Sequence, residues 1–121
     1  MAELAGRKIF IVEDESLIAM LIEDQLDELG CVAVGHVTCV EDAMASLDRT
    51  ELDAAVLDVN LAGQTSYPVA TALARRNVPY LFITGYGRAG LEPEFQDQPV
   101  LQKPFTTDAL ARALSDLLPS A

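Results

Sequence analysis

Apolar residues in this chain fall into two kinds of run that take turns along it. Ile9-Phe10-Ile11-Val12, Cys31 to Val37, Ala54 to Leu57, Tyr80 to Ile83 and Val100 to Gln102 are short. Most are continuous and rich in β-branched or aromatic side chains, the pattern of strands buried on both faces. Between them lie longer stretches with helical spacing. In Ser16 to Leu29, Ile18, Ile22, Leu26 and Leu29 share one face, Leu17 and Leu21 are expected to join it, and Glu23, Asp24, Asp27 and Glu28 fall mostly opposite. Gly30 is a natural stop. Val40 to Leu47 predicts a second helix, and Pro68 to Arg76 a third, with a start near Ser66 as the alternative. Thr106 or Thr107 can cap a last helix, with Leu110, Ala113, Leu114, Leu117 and Leu118 on one stripe.

One interval breaks the rhythm. A helix is due between Gly85 and Pro99, yet Gly85, Gly87, Gly90, Pro93 and Pro99 oppose a long one. The expectation there is a short or irregular helix and raised mobility. Strand and helix otherwise alternate five times, which predicts a doubly wound, five-stranded parallel sheet with helices on both faces. Right-handed crossovers bring all the strand carboxyl ends to one edge, where open α/β sheets bind their ligands.

Composition narrows the function classes. With 121 residues the chain is expected to be a single domain, 1–121, with its core at about 8–118. Its net charge of −11, from 8 basic and 19 acidic residues, argues against direct binding of nucleic acid. Cys31 and Cys39 have no metal or redox spacing and are expected to be buried and reduced. There is no signal peptide and no apolar run long enough to span a bilayer, so a cytoplasmic protein without a membrane partner is expected. His36, the one histidine, is read as structural.

The polar residues at the strand ends carry the chemistry. The first strand runs into Glu13-Asp14, the third into Asp58, the fourth into Thr84-Gly85 and the fifth into Lys103-Pro104. On one sheet edge these put three carboxylates, a hydroxyl and an ammonium together. Carboxylates repel one another unless something offsets their charge, and a single Lys is too little. A hard divalent cation suffices, and Mg²⁺ favours carboxylate, carbonyl and phosphoryl oxygens. A carboxylate can attack phosphorus to give an acyl phosphate, with the cation, Lys and hydroxyl stabilising the transferred oxygens.

With that ordered set, Glu13-Asp14, Asp58, Thr84 and Lys103-Pro104, the chain resembles a response-regulator receiver domain of two-component signalling, from about Lys8 to Leu118. The resemblance implies a flavodoxin-like sheet of order 2-1-3-4-5. It implies that Asp58 is the phospho-acceptor, that Lys103 pairs with the phosphoryl group and that Thr84 is the switch hydroxyl. Mg²⁺ would be bound by Asp14, by Glu13 through water, by Asp58 and by the main-chain carbonyl of Asn60. The Lys103-Pro104 bond would be cis. The side chains of Asn60 and Tyr86 stand where receivers tune dephosphorylation. The implied partners are a histidine kinase or histidine phosphotransfer protein and a downstream protein.

Two details qualify the likeness. Val100 stands where many receivers carry an aromatic switch residue. Phe82-Ile83-Thr84-Gly85-Tyr86-Gly87 resembles instead the FATGUY motif of a subfamily found as stand-alone regulators. Gly85 and Gly87 beside the switch Thr let the following loop rearrange at low cost. With the last helix reaching Leu118, a stand-alone regulator is expected, and not an enzyme acting on a separate substrate. A receiver-like interaction module that works without phosphorylation is the alternative. A small Mg²⁺-dependent aspartyl phosphatase fits less well, because Asn60 occupies the place where such folds often carry an acid/base Asp.

Overall fold

Five parallel strands with helices on both faces form the body of the molecule. A computed structural model of the chain describes residues 4–61 and 63–118. The elements are β1 (Lys8–Val12), α1 (Ser16–Glu28), β2 (Val32–Val37), α2 (Val40–Leu47), β3 (Ala54–Asp58), β4 (Asn60–Leu61), β5 (Gln64–Thr65), α3 (Tyr67–Arg75), β6 (Tyr80–Thr84), β7 (Val100–Gln102) and α4 (Thr107–Leu117). The main sheet runs β2-β1-β3-β6-β7, all parallel. Without the two-residue strands β4 and β5, this is the expected order. Those two form a small antiparallel ribbon, Asn60 opposite Thr65 and Leu61 opposite Gln64. Its turn uses Gly63 at φ 88, a conformation that side chains resist.

Alternation along the strands divides the core in two. Ile9 and Ile11 join Val56, Leu81 and Ile83 under α1 and α4, with Ile22, Leu26, Leu110 and Leu114. Phe10 and Val12 join Leu57 and Phe82 on the other face, under α2 and α3, with Leu47, Val69 and Leu73. Fully burying one such side chain stabilises the fold by roughly 1.5–3 kcal/mol. β3 and β6 are buried at every position, as continuous apolar runs predict.

Several boundaries and faces depart from expectation. α1 ends at Glu28, with Leu29 as its cap. Leu17 and Leu21 do not join its buried face: they are 81% and 46% exposed. Each precedes Ile18 or Ile22 by one residue, about 100° around the helix and outside the stripe that meets the sheet. β2 begins at Val32, not Cys31, and its Val32 is exposed because β2 is an edge strand. Both cysteines are free thiols; Cys31 is buried, but Cys39, at the N-cap of α2, is only half-buried. Thr106 caps α4 and accepts from the Ala109 amide at 3.1 Å.

The interval 85–99 holds two short 3₁₀ turns, Gly87–Gly90 and Pro93–Phe95. Contacts with α3 tie it down. Phe95 stacks on Tyr67 with ring centres 4.3 Å apart, Leu91 is buried, and the Glu92 amide donates to the Tyr67 hydroxyl at 2.9 Å. Among the described residues, no helix is long and apolar enough to cross a membrane.

Candidate functional site

The carboxyl edge of the sheet opens into a pocket of about 440 Å³. Asp14, Asp58, Asn60, Thr84, Gly85, Tyr86 and Lys103 line it, joined by Glu15 and Gly63. Each functional side chain stands where a strand gives way to a loop. β1 delivers Glu13-Asp14, β3 ends on Asp58, β6 ends on Thr84, and Lys103 follows β7. Asp58 pairs across the sheet with Ile83, so β6 reaches one residue beyond β3 and sets Thr84 beside the end of Asp58.

Lys103 is the bridge. Its Nζ lies 3.1 Å from Glu13 Oε2 and 3.4 Å from Asp58 Oδ2. The second Asp58 oxygen, Oδ1, accepts from the Asn60 amide at 3.3 Å. Glu13 is fully buried, and its Oε1 accepts from the Glu15 amide at 3.1 Å. Its Oε2 receives no aligned hydrogen bond although the ammonium is close. Thr84 is 2% exposed, and its Oγ1 accepts from the Tyr86 amide at 3.1 Å. The Tyr86 ring is 74% exposed at the pocket mouth. The Lys103-Pro104 bond is cis, and Pro104 is exposed.

Burial dominates the electrostatics. It pushes the Glu13 carboxyl up to about 7, helped by the hydrogen bond and charge of Asp58 and opposed by the Glu15 amide and Lys103. Burial also raises Asp58, although Glu13, Lys103 and the Asn60 amide pull it down. For Lys103, burial works to lower the pKa, but the two carboxylates outweigh it and leave it raised. One ammonium therefore leaves this pocket short of positive charge.

Carboxylate oxygens of Glu13, Asp14, Glu15 and Asp58 lie within 4.8 Å of one another. With the unaligned Glu13 Oε2, this all-oxygen donor set fits a hard divalent cation. The residues singled out from the strand ends are thus brought together. Glu15, legible as the last acid of the Glu13-Asp14-Glu15 run, was not assigned to the site, and Gly63 enters it only through the unforeseen ribbon. A contact from His36 was also missed. Its Nε2 lies 2.9 Å from the Glu13 main-chain oxygen.

A doubly wound parallel sheet with an acidic pocket and a lysine at its carboxyl edge defines the class of protein. The response regulator receiver domain model matches residues 9–115, and the chain belongs to that family. A solution structure of SdrG from Sphingomonas melonis Fr1 is 50% identical, covering 94% of this chain and 96% of that one, with a TM-score of 0.81. The receiver domain of PhyR from Erythrobacter litoralis is 25% identical over 98% of both chains, again with a TM-score of 0.81. The transcriptional regulatory protein TcrA of Mycobacterium tuberculosis is 37% identical over 93% of this chain and 47% of its own length. The chain spans about half the length of most of the curated relatives it matches.

Proposed function

We propose that the chain accepts a phosphoryl group on Asp58 from a histidine kinase or histidine phosphotransfer protein and passes the signal to a protein partner. The observation that carries this reading is the Asp58 carboxylate. It stands at the end of a buried strand, faces an open pocket and is held by Lys103 at 3.4 Å. Attack by an Asp58 oxygen on phosphorus forms the acyl phosphate as the donor's N–P bond breaks and the imidazole leaves with that electron pair. Lys103 follows the negative charge from Glu13 and Asp58 to the phosphoryl oxygens. Asp14, Glu13, Asp58 and the Asn60 carbonyl would hold Mg²⁺, with Glu15 beside them. When bound, Mg²⁺ supplies the positive charge that offsets carboxylate repulsion and the charge of the phosphoryl group.

The Thr84 hydroxyl turns toward the phosphoryl group and gives up the Tyr86 amide it now accepts. That links occupancy of Asp58 to the 85–99 interval, whose two states the phosphoryl group biases. Asn60 and Tyr86, at the pocket rim, control access of water to the acyl phosphate. Leu17, Met20 and Leu21 give α1 an exposed apolar face just after Glu15, suited to a docking phosphodonor. The chemistry ends on the protein itself, so we assign no turnover of a separate substrate. In support, SdrG, half-identical to this chain, has a described BeF3-activated conformation.

The test is to incubate the protein with Mg²⁺ and acetyl phosphate and to measure intact mass. The expected result is a gain of one phosphoryl group that disappears in Asp58→Ala. An unchanged mass, or an equal gain in the variant, refutes the reading.

A further inference from the structure

We propose that His36 is a positioning residue of the acidic pocket: its imidazole holds the main chain of Glu13 and so sets where the Glu13-Asp14-Glu15 carboxylates stand. The inference rests on the metal-binding reading of that pocket for its functional consequence, but not for the tether itself.

Glu13 lies one residue past β1, where the regular ladder has ended. Both of its peptide groups are nevertheless held by β2. Its N–H donates to the Val37 carbonyl at 3.0 Å. Its carbonyl lies 2.9 Å from His36 Nε2. A carbonyl can only accept, so this contact places a proton on Nε2. The other ring nitrogen, Nδ1, lies 4.0 Å from Glu23 Oε1 on α1, beyond hydrogen-bond distance, so Nε2 carries the tether. A residue fixed at both its N–H and its C=O cannot turn. The side chain of Glu13, and the turn that carries Asp14 and Glu15 into α1, inherit that fixity.

The local fold is shaped for this reach. The β1–β2 register slips between Ile9 and Phe10, so that Ile9 faces Ala33 but Phe10 faces Gly35. Val34 is thus the extra residue of a bulge, a device that re-aims the side chains after it. Gly35 lies against the Phe10 ring, where an added Cβ would come within 3.0 Å of ring carbon. Without that close approach β2 would stand off from β1, and the His36 ring would fall short of the Glu13 carbonyl. None of these contacts touches Asp58 or the phosphoryl position, so His36 acts only through Glu13.

Two substitutions separate the tether from simple space-filling. His36→Leu fills much of the volume but donates nothing; His36→Gln keeps a side-chain N–H. Amide hydrogen exchange in the metal-free protein reads the tether, and Mg²⁺ titration followed by NMR reads its consequence. In His36→Leu, exchange at the Glu13 and Glu15 amides is expected to speed up and the Mg²⁺ dissociation constant to rise, each ~3–10-fold, as loss of one hydrogen bond implies. Amides of β3 and β6 should stay protected as in the parent, and His36→Gln should recover most of both effects. Parent-like exchange and affinity in His36→Leu, or equal impairment in the two variants, overturns the proposal. A parent protein that binds no Mg²⁺ sinks the metal reading, while the exchange measurements still decide the tether.

Discussion

At the scale of single residues, the pocket is governed by a shortage of positive charge. Glu13 ionises at about 7 in the metal-free protein against an ordinary 4.5, mainly because it is buried. Between those two values the folded state binds more protons than the unfolded one, so stability falls as pH rises through that window. The metal-free protein should therefore melt higher at about pH 5.5 than at about pH 7.5, a comparison that thermal melts make directly. Mg²⁺ bound as proposed would displace that proton, so its affinity should increase as pH rises toward neutrality and proton release should accompany binding. Lys103 already pairs with Glu13 and Asp58, so on the proposed reading it would compete with the cation for them. Lys103→Met should thus leave Mg²⁺ binding as tight or tighter. Phosphoryl uptake from acetyl phosphate should meanwhile slow by roughly 100-fold, the usual effect of removing one transition-state donor. Weaker Mg²⁺ binding in that variant would show that the ammonium serves as structural support and not as a competitor.

At the scale of elements, the interval 85–99 is held by aromatic contacts where a longer helix is absent. Tyr67, the first residue of α3, stacks on Phe95 and accepts from the Glu92 amide, and Phe82 meets both rings edge-on. Tyr67→Phe keeps the stack and removes the acceptor. It should cost ~1 kcal/mol in urea unfolding and speed exchange at Glu92, with little effect on amides of β1. The glycines and prolines of this interval made the missing helix readable. Nothing in local sequence names Tyr67 as the group that covers the gap, because the stack joins residues distant along the chain. The same division runs through the rest of the fold. Buried strands were legible because both faces are apolar, and their ends placed Glu13, Asp14, Asp58, Thr84 and Lys103 correctly at one edge. The edge strand β2 was less so, since one residue of bulge shifts its register. The β4–β5 ribbon has two residues per strand, too few for any period. Leu17 and Leu21 misled because hydrophobicity marks a candidate core face without saying which surface a partner covers. His36 was read as structural, and its contact with the Glu13 carbonyl escaped the sequence because the bulge before it shifts the register of β2.

At the scale of the whole molecule, two hydrophobic layers share one sheet, and damage on one face should be felt on the other. Leu81 is fully buried under α1 and α4, while its neighbour Phe82 faces α3. Leu81→Ala should destabilise the protein by about 2–5 kcal/mol, measured by urea denaturation. If the sheet couples the layers, one transition should be seen by backbone and aromatic probes alike. The chain has three tyrosines and no tryptophan, so its emission on excitation above the phenylalanine band belongs to tyrosine. Tyr67 and Tyr80 are buried, whereas Tyr86 stands 74% exposed at the pocket mouth. A quencher dissolved in water meets Tyr86 first and the other two hardly at all. The molecule therefore carries its own optical gauge, one chromophore at the door of the pocket and two behind the wall.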